Sequence, residues 1–580
     1  MESSKQFWGF IKRLKQDSTG VQSLKDGGRL FSDAERKADI LNRQFESVFT
    51  EEEPLSHLQD PNTFKFPSIP QIDISVAGVA KLLKELDEKK ASGPDNISAK
   101  ILRLAADELA PALTLIFNSS IKTGDLPDDW RTANITPIFK KGDRTTASNY
   151  RPVSLTSISC KLLEHIFHRH IMNHLDTHNI LTDKQHGFRS KHSCESQLLQ
   201  TIHDLIHTLD NNKQTDIIIM DFSKAFDTVP HNRLLYKLNK YGINGHIHTW
   251  ISHFLTKRTQ RVVVDGEHSD WAPVRSGVPQ GTVLGPLLFL LYINDLPLNI
   301  SSTVRLFADD CVMYRPITNN NDAKQLQNDL DTLTTWQNNW QMKFNAKKCF
   351  VLKISRARVL KQHKYQLSNT TLQETTSHTY LGVEISSDLK WTNHVNSITA
   401  KANRVFGFVR RNLHSCPKDL RATAFKSLVR PHLEYCSSVW DPHINELVDK
   451  IERIQRRGAR FVFKDYRKTS SVTEMLNKLD WIPLQERRRI GRITMLHKIS
   501  NGQIAIPAGK FLQPVQTRTS SRRNHNKAIT RLTGRTEYYN QSFFPHTINE
   551  WNKLPSTLVN ITDTKSFKEA LTGHISQNYN

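Results

Sequence analysis

Three aspartates stand where strand patterns end or turn. Asp221 follows the apolar, β-branched-rich run Thr215–Met220, whereas Asp309 and Asp310 interrupt the apolar run Val304–Tyr314 as the tip of a hairpin would. If these strands pair, the three carboxylates converge. Hard Mg²⁺ ions prefer carboxylate oxygens, and two such ions can activate an attacking hydroxyl and stabilise a leaving oxygen. Together, Asp221 and the Asp309–Asp310 pair predict nucleotidyl transfer. Taken separately, an Asp after a strand is also typical of a turn or a helix cap, and an Asp-Asp pair between strands is typical of an exposed turn.

A glycine- and proline-rich segment, SGVPQGTVLGPLLFLLYINDL, lies between these aspartates in the chain. Its glycines allow the backbone to approach a flat ligand closely, and Gln280 offers an amide within it. A plain turn before a buried helix is the alternative interpretation. No Walker loop competes for a phosphate-binding role, because Gly509-Lys510 lacks the upstream glycine and the following Ser or Thr.

The strands and helices that must position these residues predict an α+β fold, with an α/β core as the alternative. The runs Thr215–Met220, Gln260–Val264 and Val304–Tyr314 read as strands separated by helical segments. Upstream, Asn96 or Ser98 is expected to cap one helix running from Ile101 through Leu113, and TANITPIFKKGD predicts a hairpin strand. Beyond about residue 390 the pattern becomes mainly helical and basic.

Charge and composition narrow the class of protein. The 580 residues include 80 Lys and Arg against 57 Asp and Glu, a net charge of +23, which favours a polyanionic partner such as nucleic acid. The longest nearly apolar run, 283–293, is shorter than the roughly 20 residues that a membrane span needs. The six cysteines are too far apart for a zinc knuckle, and the charged N-terminus resembles no secretory signal, so an intracellular protein is expected.

Taken in order, these motifs resemble the reverse transcriptases of non-LTR (LINE-type) retrotransposons, most like the Jockey group. The resemblance runs motif by motif over roughly residues 90–390 and more loosely over the flanks. It implies a right-hand polymerase of fingers, palm and thumb with a mainly helical basic C-terminal region. The implied domains are an N-terminal helical arm and linker at 1–78, fingers and palm at 79–390, and a thumb-like basic region at 391–580.

The resemblance also implies roles for single residues. Asp221, Asp309 and Asp310 look like the catalytic carboxylates and metal ligands. The resemblance defines metal coordination by Asp310 less clearly than coordination by Asp221 and Asp309. Lys347 resembles the lysine that protonates departing pyrophosphate, with the adjacent Lys348 as an alternative.

Five further positions resemble substrate-binding residues. Phe226 occupies the place of the aromatic residue that excludes a ribose 2′-hydroxyl, with a core aromatic as the alternative. Arg189 resembles the arginine that binds the triphosphate by charge-assisted hydrogen bonds, with a surface salt bridge as the alternative. Arg151 belongs to a finger motif, and Gln280 and Gly281 to the loop that supports the templating base and incoming nucleotide.

The implied activity is RNA-directed DNA synthesis with two Mg²⁺ ions, or Mn²⁺ in their place. The implied partners are an RNA template, a DNA primer, dNTPs and the RNA of the element itself, in the nucleus or in cytoplasmic ribonucleoprotein particles, with no membrane. Such polymerases normally follow an endonuclease, whereas this sequence opens at the polymerase's own N-terminal arm. A truncated reading frame or a separate endonuclease is therefore expected.

Two other classes stay open at this point. One is a catalytically silent nucleic-acid-binding remnant or a domesticated RNA-binding protein, against which the intact aspartates argue. The other is an RNA-templated RNA polymerase, which Phe226 disfavours.

Overall fold

A computed structural model describes residues 8–9, 20–58, 66–515 and 525–577. The predicted basic arm at the N-terminus and part of the basic tract at 514–535 lie outside the described residues. The strands are β1 (Leu24–Asp26), β2 (Arg29–Phe31), β3 (Thr132–Phe139), β4 (Tyr150–Leu155), β5 (Gln214–Met220), β6 (Thr259–Val264), β7 (Glu267–His268), β8 (Ala272–Pro273), β9 (Thr303–Phe307), β10 (Asp310–Ile317), β11 (Phe350–Ile354), β12 (Gln366–Leu367), β13 (Thr370–Thr371), β14 (Gln373–Thr375), β15 (Ser377–Tyr380) and β16 (Val383–Ser386).

Helices occupy much of the rest of the described chain. They are α1 (Ala34–Glu46), α2 (Val76–Lys84), α3 (Ala99–Leu104), α4 (Ala106–Thr123), α5 (Asp128–Arg131), α6 (Ile158–Thr177), α7 (Cys194–Asp210), α8 (His231–Lys240), α9 (Gly245–Leu255), α10 (Leu284–Ile293), α11 (Asn320–Asn339), α12 (Thr392–Leu413), α13 (Lys418–Ala424), α14 (Pro431–Glu434), α15 (Ser437–Trp440), α16 (Asn445–Phe463), α17 (Val472–Lys478), α18 (Leu484–Ser500), α19 (Ala508–Phe511), α20 (Glu537–Asn540), α21 (Phe543–Trp551), α22 (Ser556–Val559) and α23 (Thr564–Gln577). The mixture confirms the α+β prediction.

The chain divides into two compact units. The first comprises Met1–Phe188, Asp221–Ile300 and Leu330–Ala346. Its sheet has the order β4-β3-β6-β7, with β8 also paired to β6. Helix α1 packs against this sheet through an apolar face that includes Leu41 and Phe45.

The second unit comprises Arg189–Met220, Ser301–Asp329 and Lys347–Asn580. Its sheet has the order β14-β11-β5-β10-β9, so that β5 lies at the centre. Every residue of β5 is buried, including the polar residues of its first half, and its second half, 217–220, is an unbroken apolar run. Both neighbours of β5 run antiparallel to it.

The strand predictions around the aspartates are confirmed. The run Val304–Tyr314 forms the hairpin β9–β10, and Asp309 lies in its turn. The prediction of one helix from Ile101 through Leu113 is wrong. Ser98, one of the two predicted cap residues, does cap a helix, but that helix is short. Ala105 leaves helical geometry (φ −99°, ψ 34°), and a second helix begins at the next residue.

No helix among the described residues has both the length and the apolar character needed to cross a membrane. The most apolar segment, α10, is only ten residues long. It is instead a core helix of the first unit, because nine of its ten residues are buried.

A buried lysine stabilises the first unit. Lys237 donates to the backbone oxygen of Tyr292 and to Asp295, both at 2.6 Å, and its Nζ lies 3.7 Å from the ring centroid of Trp340. Replacing Lys237 by Met should lower the free energy of unfolding by about 3–5 kcal/mol, since Asp295 would keep a buried charge without this partner. Urea unfolding measures the change. Lys240→Met on the same helix, at a half-buried position, should cost less than about 1 kcal/mol; an equal loss in both variants would contradict the prediction.

Candidate active site

The loop that carries Gln280 is attached to the segment that carries Phe226, within the first unit. The backbone N–H of Val278 donates to the oxygen of Phe226 at 2.7 Å, and the N–H of Gly277 donates to the oxygen of Val229 at 2.8 Å. Gly277 has φ +92°, and a Cβ there would lie 2.8 Å from the backbone oxygens of Phe226 and Asp227. This close approach requires glycine.

Gln280 and Gly281 are fixed between that segment and strand β4. The side-chain Nε2 of Gln280 donates to Oδ1 of Asp227 at 2.9 Å, while its backbone oxygen accepts from Ser154 N–H at 2.7 Å. Gly281 has φ +110°, and a Cβ there would lie 2.6 Å from the oxygen of Ser154. Arg151 is exposed on the same strand. The structure thus brings four predicted substrate-binding residues into one neighbourhood: Arg151, Phe226, Gln280 and Gly281.

The ring of Phe226 packs against other aromatic rings. It stacks on Phe289 of α10 with centroids 4.4 Å apart and planes at 17°, and Phe188 meets it edge-on at 6.4 Å. The side chain is only half-buried and lines a pocket with Gln280 and Gly277. A ring fixed on one face and open to a pocket on another can act as a steric filter.

Two contributors to this region were missed in the sequence. Asp227 anchors the Gln280 amide, and Thr50 donates its N–H to the Ser276 hydroxyl oxygen and its own hydroxyl to the oxygen of Thr228, both at 2.8 Å. An acidic residue directly after the candidate aromatic residue was the available signal for Asp227. No local pattern singles out Thr50, because its partners are remote in the chain.

Burial raises the pKa of Asp227 to about 6, against the opposing effects of the Gln280 hydrogen bond and the nearby charges of Lys224 and Arg151. A folded-state pKa above the ordinary 3.8 means that the fold disfavours the ionised form. The contribution of Asp227 to the free energy of unfolding is therefore most favourable below pH 4 and declines as pH rises through 6.

Asp227→Asn should remove that decline. Between pH 4 and 7 the free energy of unfolding of the wild-type chain should fall relative to that of the variant by about 2–3 kcal/mol. Urea unfolding at several pH values measures the difference. Asp129→Asn, at an exposed position, is the matched control. A pH slope that is the same in the wild-type chain and Asp227→Asn would refute the assignment.

The acidic turn lies at the end of the central strand, within the second unit. Cys311 of β10 pairs with Met220, the last residue of β5, so the preceding Asp309 and Asp310 lie beside the carboxyl end of that strand. Asp309 is half-buried and Asp310 is exposed. Ala308 turns the chain with φ +52°.

Asp221 is the next residue of the chain after Met220 and begins a segment of the first unit. It is half-buried, and its backbone oxygen accepts from Asn345 N–H at 2.7 Å. The adjoining Phe222 bridges to Phe344 and stacks on it at 4.2 Å. These contacts fix the backbone on which the Asp221 carboxylate is carried.

The other two predicted residues belong to the second unit. Lys347 is exposed and lies three residues before β11 begins. Lys348 is exposed as well, so exposure does not choose between them. Arg189 is half-buried and its backbone oxygen accepts from His192 N–H at 3.4 Å, just before α7.

Across residues 20–58, 66–515 and 525–577, no group of three His, Cys, Asp or Glu side chains is arranged to hold a metal ion by itself. The donor set at the acidic turn still suits Mg²⁺. This ion is usually held by one or two carboxylates, with substrate phosphates and waters completing its octahedron. Two neighbouring carboxylates, Asp309 half-buried and Asp310 exposed, meet that requirement.

Comparison with known proteins decides the class of this domain. Residues 138–385 match the family described as reverse transcriptase (RNA-dependent DNA polymerase). This stretch is a reverse transcriptase domain. Every predicted site residue lies within it, from Arg151 to Lys347.

The relatives of the reverse transcriptase domain come from mobile elements. The chain is 27% identical over 479 residues to the RNA-directed DNA polymerase from mobile element jockey of Drosophila melanogaster, covering 78% of this chain and 51% of that protein. It is 27% identical over 488 residues to the probable RNA-directed DNA polymerase from transposon BS of the same species, covering 78% and 52%. For the probable polymerase from transposon X-element, also of that species, the identity is 28% over 401 residues, covering 66% and 43%.

These matches confirm the predicted resemblance to Jockey-like, non-LTR reverse transcriptases. The chain spans about half the length of these jockey and BS relatives.

Proposed function

We propose that this chain is an RNA-directed DNA polymerase of a non-LTR retrotransposon, which adds dNTPs to a primer 3′-hydroxyl on an RNA template. The carrying observation is the reverse transcriptase domain at 138–385, inside which the Asp309–Asp310 turn adjoins the end of β5, the strand that leads directly to Asp221. The names of the mobile-element relatives support the same activity.

Asp221, Asp309 and Asp310 are the proposed ligands of two Mg²⁺ ions, a role that Mn²⁺ could also fill. When bound, such ions lower the pKa of the primer hydroxyl and stabilise the charge on the leaving pyrophosphate. An ion held by one or two of these carboxylates would keep coordination positions for phosphate oxygens.

The remaining residues bind and orient the substrates in this proposal. The primer 3′-hydroxyl loses its proton to water, its oxygen attacks the α-phosphorus of the dNTP, and the bond from that phosphorus to pyrophosphate breaks. Arg189 binds the triphosphate by charge-assisted hydrogen bonds, and Lys347 gives a proton to the departing pyrophosphate. Gln280 and Gly281 support the base pair, Arg151 contacts the template or nucleotide, and Phe226 excludes a 2′-hydroxyl.

A right-hand arrangement is proposed for these parts. The β14-β11-β5-β10-β9 sheet corresponds to the palm and the β3–β4 strands to the fingers, within the predicted domain 79–390. The helices from α12 onward correspond to the thumb-like region 391–580.

The charge of α16 supports contact with nucleic acid. Arg453, Arg456 and Arg457 are exposed on one side of this helix, while Ile451 and Ile454 on the other side are buried. Arginines in this arrangement bind phosphates without reading sequence, and their grip weakens as salt increases. The natural template in this proposal is the RNA of the element itself, in the nucleus or in cytoplasmic ribonucleoprotein particles.

Primer extension tests the proposal. The full chain is given a poly-rA template, an oligo-dT primer, dTTP and Mg²⁺, with EDTA in a parallel reaction. We expect extension that requires the metal and that also occurs with Mn²⁺. Template binding without extension under either ion would contradict the polymerase and favour a silent nucleic-acid-binding protein.

A further inference from the structure

A fully buried carboxylate lies under the loop that carries Gln280. Glu164 of α6 is 0% exposed, and a single oxygen, Oε2, accepts the backbone N–H groups of Val283 at 2.7 Å and Leu284 at 2.9 Å. All three residues belong to the first unit. Burial raises the pKa of Glu164, while the two backbone hydrogen bonds and the nearby Arg258 and Lys161 act in the opposite direction.

Helix α10 needs this acceptor. Its N-cap residue is Val283, which has no side-chain oxygen and makes no capping hydrogen bond. The first N–H groups of a helix are unsatisfied without a cap, and leaving them so in a buried setting costs free energy. Glu164 supplies the acceptor from another helix, and its negative charge also suits the positive end of the helix dipole.

The first turn of α10 is rigidly connected to the loop that carries Gln280. A Cβ on Gly285 would lie 2.4 Å from the backbone oxygen of Pro279, so the loop folds back directly onto the first turn of α10. The Thr282 hydroxyl donates to that same oxygen at 2.9 Å and accepts from Gly285 N–H at 3.1 Å. A displacement of the helix start therefore moves Pro279 and, with it, the neighbouring Gln280.

We propose that Glu164 is a positioning residue for nucleotide selection: by holding the start of α10 it sets the place of Gln280 and of Phe289, the ring that supports Phe226. This role rests on the proposed polymerase function. Glu164 itself touches no substrate, so its removal should weaken dNTP selection while leaving the grip on template and primer unchanged.

Three substitutions separate the hydrogen bonds from the charge and from packing. Glu164→Met keeps the length but removes both acceptor bonds, and should raise KM for dNTP about tenfold or more. Glu164→Asp withdraws the oxygen by one methylene group and should raise KM about three- to tenfold. Glu164→Gln can place its amide oxygen where Oε2 lies, and should stay within about threefold of wild type.

The measurements are steady-state KM for dTTP and for poly-rA/oligo-dT, misincorporation frequency, and a thermal melting curve for each full-length variant. KM for template and primer should change by less than about twofold in all three. Asp295→Asn is the matched control, because it removes the negative charge from a nearly buried side chain that accepts from Lys237 and Trp336 and is not attached to the loop. It should lower the melting temperature without changing KM for dTTP.

The outcomes are distinguishable. No extension by the unaltered chain would overturn the proposed function, and the positioning role with it. Extension by the unaltered chain with wild-type KM for dTTP in Glu164→Asp and Glu164→Met would overturn the positioning role alone. If Glu164→Met fails to fold, Glu164→Asp and Glu164→Gln decide: an equal rise in KM for both would show that charge or packing matters rather than the placed oxygen.

Discussion

Primer extension should fall by about three orders of magnitude when Asp309 and Asp310 are both replaced by Ala. This corresponds to about 4 kcal/mol of lost transition-state stabilisation, the scale expected when metal ligands at the reacting phosphate are removed. The loss should appear in kcat rather than in template binding. Since Asp309 is only half-buried and Asp310 is exposed, the melting temperature should change little.

Single substitutions refine this prediction. Asp309→Ala should reduce activity more than Asp310→Ala, because Asp309 is the predicted second metal ligand and the contribution of Asp310 to metal coordination is less clearly defined. The matched control is the double substitution of Asp128 and Asp129 by Ala, an adjacent and exposed pair on α5. Its extension rate should match that of the wild-type chain, and a surviving rate in the Asp309/Asp310 double variant would exclude the proposed metal site.

Sugar discrimination should fall by about 100-fold in Phe226→Ala. The ring is braced by Phe289 at 4.4 Å and lines the pocket beside Gln280, so removing it leaves room for a 2′-hydroxyl. A pocket wall can discriminate against an added hydroxyl by about this factor. The measurement is the ratio of kcat/KM for dTTP to that for UTP on poly-rA/oligo-dT.

The control must separate sugar selection from general loosening of the core. Phe167 is a fully buried ring that meets Trp250 edge-on at 4.7 Å in the same unit. Phe167→Leu should lower the melting temperature and leave the dTTP/UTP ratio unchanged. An unchanged ratio in Phe226→Ala would mean that the ring is only a core aromatic, the alternative that the sequence left open.

Local patterns carried much of what could be predicted about this chain. The apolar run of β5 and the interrupted run of β9–β10 predicted strands, because side-chain alternation and turn residues act over a few positions. The order of motifs was enough to indicate the reverse transcriptase domain that the family match establishes. Local pattern failed at Ala105, where periodicity continues across a break in backbone geometry.

The tertiary structure alone decided which remote groups meet. The hydrogen bond from Gln280 to Asp227 joins residues 53 apart in the chain, and the one from Val283 to Glu164 joins residues 119 apart. Neither residue type nor spacing predicts such a pair, because the partner is chosen by how helices and strands pack in three dimensions. An acidic residue on the buried side of a helix, such as Glu164, has no partner that the sequence identifies, and only the fold supplies the N–H groups that explain its burial.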